Sequence, residues 1–216
     1  MQKKTPKSHR PSARSTRRRR PDPLKRSRAP FYLLLVLVLA MAFFYYLVNW
    51  GPLAYRRHTV SDLPYHDLFI PKAQEYGLSP YLVAGVIQQE SAFKPKAESP
   101  VGARGLMQVM PDTGRFIARK RGLDFDPDDL YRPETNIDYG CWYLSYLMKR
   151  FDGVIPTVLA AYNAGPNITQ KWLEDPEYSK DGRTLYRIPY GETDRYVVKV
   201  MGYMEDFREK SNTSDQ

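Results

Sequence analysis

From Phe31 to Trp50 the chain runs twenty residues without a charge, and only Asn49 among them is strongly polar. Hydrocarbon offers a peptide group no water, so such a run is stable there only as a helix that satisfies its own N–H and C=O groups. At about 1.5 Å per residue it spans roughly the 30 Å core of a bilayer. The run therefore divides the chain: a short segment before it and a separate domain behind it.

The charge distribution fits that division. Residues 1–30 hold 12 of the 33 Lys and Arg, from Lys3 to Arg28, against one acid, Asp22. The net charge of +9 belongs to this tail, and the rest of the chain, with 21 basic and 23 acidic residues, is close to neutral. A basic tail before an apolar helix is a topology signal, not a nucleic-acid surface, and it predicts a cytoplasmic N-terminus with everything after residue 50 outside the cytoplasm. Tyr45, Tyr46 and Trp50 suit the far interface. The basic arm is expected to touch anionic lipid.

A cleaved signal peptide is the competing reading, with Ala40-Met41-Ala42 as its cleavage pattern. Phe43-Phe44-Tyr45-Tyr46-Leu47-Val48 follows, where a signal peptide turns polar, and this favours a retained anchor. Cys141 is the sole cysteine, which excludes an N-terminal lipid anchor and any disulfide framework. Twin-arginine export through Arg17 to Arg20 is discounted, because Pro21-Asp22-Pro23 follows.

The organisation expected is a basic cytoplasmic tail over 1–30, a transmembrane helix over 31–50, a linker over 51–64, one domain over 65–208 and a polar tail over 209–216. Fully extended at roughly 3.5 Å per residue, the linker reaches no more than about 50 Å, so the domain works near the membrane. The hydrophobic fraction of 42% is enough for a core.

The domain reads as mainly α. Ser79-Pro80 starts a helix to about Ser91, with serine as N-cap and proline in the first turn. Pro111 starts another, to about Arg121. The longest is expected from Glu134 to Phe151, with Ile137, Cys141, Leu144, Met148 and Phe151 on one buried face. Gly153 breaks it, a short helix follows to Tyr162, and Gly165-Pro166 ends that one. A last amphipathic helix is expected from Glu192 to Phe207. Strand signals are confined to Arg183 to Pro189, with a small hairpin expected within Gly102 to Gln108. The fold class is mainly α, or α+β with a very small β element.

Glu90 is the candidate for chemistry. It lies three and four residues after Ile87 and Val86, on the apolar face near the C-terminal end of its helix. Burial and the negative end of the helix dipole both raise a carboxyl pKa, which keeps a glutamate protonated as a general acid near neutral pH. By periodicity alone, a solvated helix-end glutamate is the simpler reading. Beyond it, Gly102, Ala103 and Gly105 allow a tight loop to approach a ligand, and Gln108 offers donors and an acceptor to sugar hydroxyl and acetamido groups. Tyr162-Asn163-Ala164-Gly165 alone reads as a helix C-cap. His9, His58 and His66 have no ligand spacing, so no metal and no cofactor is expected.

Taken together, Glu90-Ser91, the run SPVGARGLMQVMPDT from Ser99 to Thr113, AAYNAGP from Ala160 to Pro166 and ETDRYV from Glu192 to Val197 resemble the lysozyme-like lytic transglycosylases of glycoside hydrolase family 23, the soluble lytic transglycosylase type. The resemblance spans about residues 64–208. It implies a lysozyme-like fold and cleavage of the N-acetylmuramic acid to N-acetylglucosamine β-1,4 bond of peptidoglycan, with 1,6-anhydromuramyl ends and Glu90 as the single acid and base. It implies that Ser99, Gln108, Met110, Tyr162, Glu192 and Tyr196 line the glycan groove. Asn163 matches the motif and is carried as a binding residue that also shapes its turn, and no role is carried onto Arg104.

Glycosidases commonly use two carboxylates. Glu98 and Asp112 read as solvated or structural, and Glu192 is ambiguous. Tyr162 and Tyr196 read equally as buried core tyrosines and as partners of the acid or the sugar. Three functions remain: the lytic transglycosylase, a hydrolytic muramidase of the same fold, and a glycan-binding scaffold without turnover. The expected location is a bacterial inner membrane, single-pass, with the domain in the periplasm.

Overall fold

A computed structural model describes residues 29–49 and 59–214, with side chains at 34, 36–46 and 59–212. The chain divides into two units, 1–45 and 46–216. The first contains most of helix α1 (Ala29–Asn49), whose described side chains are all exposed. No helix of the described residues is long and apolar enough to cross a membrane. The expected span over 31–50 lies partly outside those side chains, and residues 1–28 and 50–58 of the expected tail and linker lie outside the described residues.

Among the described residues, the second unit holds seven helices after α1: α2 (His66–Glu75), α3 (Pro80–Ser91), α4 (Pro111–Arg121), α5 (Pro133–Arg150), α6 (Ile155–Ala164), α7 (Pro166–Glu174) and α8 (Gly191–Ser214), with 3-10 turns at Val60–Asp62 and Pro127–Tyr131. Its folded part begins ahead of residue 65, since Val60 and Leu63 are already buried.

At the centre lies α3. Leu82, Val83, Ala84, Gly85, Val86 and Ile87 are all buried, so this helix is apolar on every side, as a helix enclosed by others must be. It packs most extensively against α8, and a Cβ on Gly85 would meet the Val200 carbonyl at 3.1 Å. Ile137, Gly140, Cys141, Leu144 and Leu147 of α5 face the same core, with Met148 only partly buried. Cys141 is a small buried hydrophobe whose thiol burial pushes up.

A polar hub fastens α2, α4 and α5. Asp138 accepts from Tyr76 Oη at 2.8 Å, pairs with Lys72 Nζ at 2.9 Å and is bonded by Arg121. Burial opposes its charge, but the bonds from Arg121, Lys72 and Tyr76 outweigh that and hold the carboxyl below its usual range.

The expected small sheet is corrected. Among the described residues no strand forms; Glu98 with Arg104, Arg104 with Val109, and Ser179 with Leu185 make isolated bridges only. Gly102 and Gly105 have φ of 86° and 76°, outside the extended region, so the pairing in that loop cannot propagate. Helices α2 and α7 are additions to the expected set.

Candidate active site

Glu90 sits one residue before the end of α3. The chain then turns sharply, with Ala92 and Phe93 both left-handed at φ 48° and 60°. Ser91 fastens this turn: its hydroxyl donates to the Leu106 carbonyl at 2.8 Å, so the glutamate's own neighbour ties α3 to the glycine loop.

That loop is held from below by a residue that sequence reasoning passed over. Asn136 of α5 is fully buried. Its Oδ1 accepts from Met107 N at 2.7 Å, and its Nδ2 donates to the Arg104 and Leu130 carbonyls at 2.8 and 2.7 Å. A Cβ on Gly105 would fall 2.2 Å from the Leu130 carbonyl oxygen and 2.4 Å from Asn136 Nδ2, so only glycine fits there. The fixed Met107 carbonyl in turn accepts from Tyr162 Oη at 2.8 Å, and Tyr162 belongs to α6.

From the other side, Tyr196 of α8, 4% exposed, donates its hydroxyl to Glu90 Oε1 at 2.7 Å. Burial pushes the Glu90 carboxyl up to about 7, against the Tyr196 bond, which stabilises the carboxylate and pulls the value down. The residue keeps partial access to solvent while its carboxyl is largely desolvated. Burial also keeps the Tyr162 and Tyr196 phenols protonated, with the nearby Glu90 adding to the effect in each.

Three adjoining cavities lead away from this carboxyl, which lines the first of them. One of about 190 Å³ is lined by Gln89, Glu90, Asn163, Glu192, Arg195, Tyr196 and Lys199. A second, of about 290 Å³, shares Asn163 with it and adds Gln108, Met110, Thr113, Tyr143 and Tyr162. A third, of about 310 Å³, shares Thr113, Tyr143 and Pro166 with the second and is walled by Phe116 and Tyr146. The shared residues make one groove, polar at the Glu90 end and aromatic at the other.

Of the expected residues, Glu90, Asn163, Glu192 and Tyr196 meet in the first cavity, and Gln108, Met110 and Tyr162 join Asn163 in the second. Asn163 Oδ1 accepts from Thr193 Oγ1 at 2.7 Å, which links the ends of α6 and α8. Gln108 is left-handed, at φ 47°, and its amide nitrogen is spent on the Ala97 and Gly105 carbonyls, so its amide oxygen is what remains for a ligand. Ser99 lines none of the three cavities; its hydroxyl accepts from Ala103 N at 3.0 Å and shapes the loop.

The aromatic wall was missed. Trp142 stacks on Tyr146 with centroids 5.7 Å apart, Phe116 meets Tyr146 edge-on at 5.5 Å, and Tyr143 contacts Tyr162 at 5.7 Å. Its signal was present in α5 as aromatics at 139, 142, 143 and 146, a helical stripe beside the aliphatic one. Among the described residues no group of acids, His and Cys could hold a metal ion.

The profile of the transglycosylase SLT domain family matches residues 67–184, more than half of the chain. The match stops short of α8, which supplies Tyr196 and Glu192. The soluble lytic murein transglycosylase of Salmonella typhimurium is 38% identical over 149 residues, 68% of this chain and 23% of its own length. The membrane-bound lytic murein transglycosylase C of Actinobacillus pleuropneumoniae is 35% identical over 66% of this chain and 45% of its own length. The X-ray structure of an inactive glutamate-to-glutamine mutant of the lytic transglycosylase Slt from Pseudomonas aeruginosa superposes with a TM-score of 0.65 at 30% identity, over 85% of this chain and 30% of that one. The chain thus spans about a quarter of the length of the first of these relatives.

Proposed function

The chain belongs to the transglycosylase SLT domain family, and on that premise we propose that it is a membrane-anchored lytic transglycosylase that cuts the bond between N-acetylmuramic acid and N-acetylglucosamine in peptidoglycan. The observation that carries this reading is a carboxyl poised near 7 by burial in the wall of a groove large enough for sugars. A group with that pKa is a competent acid and, once ionised, a competent base near neutral pH.

In the proposed reaction, protonated Glu90 gives its proton to the glycosidic oxygen as the bond to the muramyl anomeric carbon breaks. The muramyl acetamido group eases the positive charge that develops there. The Glu90 carboxylate, held by Tyr196, then takes the proton of the muramyl 6-hydroxyl as that oxygen bonds to the anomeric carbon. The product is a 1,6-anhydromuramyl end, no water is consumed, and Glu90 is again protonated. Gln108, Met110, Tyr162 and Asn163 bind the glycan in this reading, Glu192 flanks the acid, and the aromatic wall stacks on pyranose faces. The relatives named as murein transglycosylases support the substrate class, and the one named as membrane-bound supports an anchor. The anchor in question is the apolar run over 31–50, which would place the domain on the periplasmic side of a bacterial inner membrane.

The hydrolytic alternative has one observation in its favour: Glu192 lines the same cavity as Glu90 and offers a second carboxylate. It is exposed, whereas the Glu90 carboxyl is largely desolvated.

Release of soluble muropeptides from purified murein tests the catalytic assignment. Glu90→Gln is expected to lower the rate at least about a hundredfold, the scale of general acid–base catalysis. A Glu90→Gln protein that releases muropeptides at the wild-type rate would sink the assignment and leave a binding scaffold.

A further inference from the structure

The cavity at Glu90 holds two cations that nothing in the fold uses. Arg195 and Lys199, four residues apart on α8, line it together with Gln89 and Glu192. Neither makes an ion pair or a hydrogen bond with any described residue, although Glu192 stands three positions before Arg195 on the same helix. Charges elsewhere along the groove are engaged: in the third cavity Asp112 pairs with Arg115 at 2.6 Å, and Arg150 donates to Asn167 at 3.2 Å. Nor do the two cations serve Glu90, whose carboxyl is governed by burial and Tyr196. Helix stability does not explain them either. The guanidinium of Arg195 lies over Gly191, 3.4 Å from where a Cβ would be, at the positive end of α8, where a cation gains nothing from the helix dipole.

The proposed substrate has its charge in one place. The sugar rings and their acetamido groups are neutral; the carboxylates lie on the peptide that each muramyl residue carries through its lactyl ether. Cleavage occurs at the anomeric carbon of the same muramyl ring that carries the stem, so those carboxylates lie within the reach of a flexible peptide from the scissile bond, and the free cations of this groove line the cavity of the acid. We propose that Arg195 and Lys199 form an anion-receiving site that reads free carboxylates on the stem peptide next to the cleaved bond, and so sets a preference for acidic over amidated stems. This rests on the glycan-cleaving reading above. Arg195 offers a planar fork to a carboxylate and Lys199 a mobile point charge on a long stem, so the pair accommodates carboxylates at more than one position along a peptide.

The test is the ratio of kcat/KM on murein fragments with free-acid stems to that on the same fragments with the stem carboxylates amidated. In the full-length protein this ratio is expected to be about ten, the scale of two solvent-exposed charge pairs, and to fall toward one as salt is raised. The double variant Arg195→Gln, Lys199→Gln is expected to bring the ratio to about one at low salt, and the charge-keeping pair Arg195→Lys, Lys199→Arg to retain most of it. A ratio near one in the wild type, a ratio unmoved in the double variant, or equal loss on both substrates overturns the inference. An active Glu90→Gln protein would instead overturn the catalytic reading itself, so the two failures are distinguishable.

Discussion

Glu90 is held between two opposing influences, desolvation that favours its proton and the Tyr196 hydroxyl that favours its charge. Removing the hydroxyl as Tyr196→Phe takes away the influence that lowers the pKa. The basic limb of the kcat/KM against pH profile, expected near pH 7 in the wild type, should then move up by about one unit; a downward move would contradict the assigned balance. The same shift is a statement about stability. The folded pKa lies above the unfolded one, so the folded state binds the extra proton, and stability falls as pH rises from about 4.5 through about 7. Glu90→Gln does not titrate. Urea unfolding should find the variant no more stable than wild type at pH 4 and more stable by about 3 kcal/mol at pH 8; equal stability at both would mean that Glu90 is solvated. Glu90 was legible because it shares the face of Val86 and Ile87. For Tyr196 the sequence leaves two even readings, buried core tyrosine and partner of the acid or the sugar, because 106 residues separate it from Glu90; the two do not exclude each other, since it is buried and it bonds the acid. Ser99 shows the reverse, a motif residue whose hydroxyl is spent on its own loop.

At the scale of elements, the glycine loop from 97 to 109 transmits position from α5 to α6. Asn136 fixes Met107 N and the Arg104 carbonyl, and the Met107 carbonyl receives Tyr162. Loss of Asn136 as Asn136→Ala leaves buried groups unpaired and should cost about 3 kcal/mol in thermal or urea unfolding, whereas a loss below about 0.5 kcal/mol would mean that the loop holds itself. Ala92 pays for the turn after Glu90 with a left-handed backbone; Ala92→Gly is expected to raise stability by about 1 kcal/mol, and a loss would show that the methyl group packs. Helix boundaries are readable where a proline starts and a glycine stops them, as in α4 and α6; α3 starts in the same way at Pro80 but ends on a left-handed Ala92. The same rule hides α7: Gly165-Pro166 reads as a stop, but proline in a first turn also starts a helix. Helix α2 carries Pro71 in its interior and follows Tyr65 in a left-handed conformation, so it offers neither a start signal nor an unbroken pattern. The small sheet failed because glycines that permit tight turns also prevent a continued ladder.

For the whole molecule, the proposed function couples an anchor to a domain. If the apolar run over 31–50 spans a membrane, the full-length protein should stay with the membrane pellet through high-salt and alkaline carbonate washes, since only an inserted helix resists both. Release by salt alone would reduce the attachment to the basic tail. The central claim is nonetheless chemical: one glutamate acts twice, and the substrate's own 6-hydroxyl replaces water. Mass spectrometry of the muropeptides released from purified murein tests it most directly. The account predicts new muramyl ends that are one water lighter than reducing ends, from the first turnovers onward; reducing ends in their place would contradict it and assign the groove to hydrolysis.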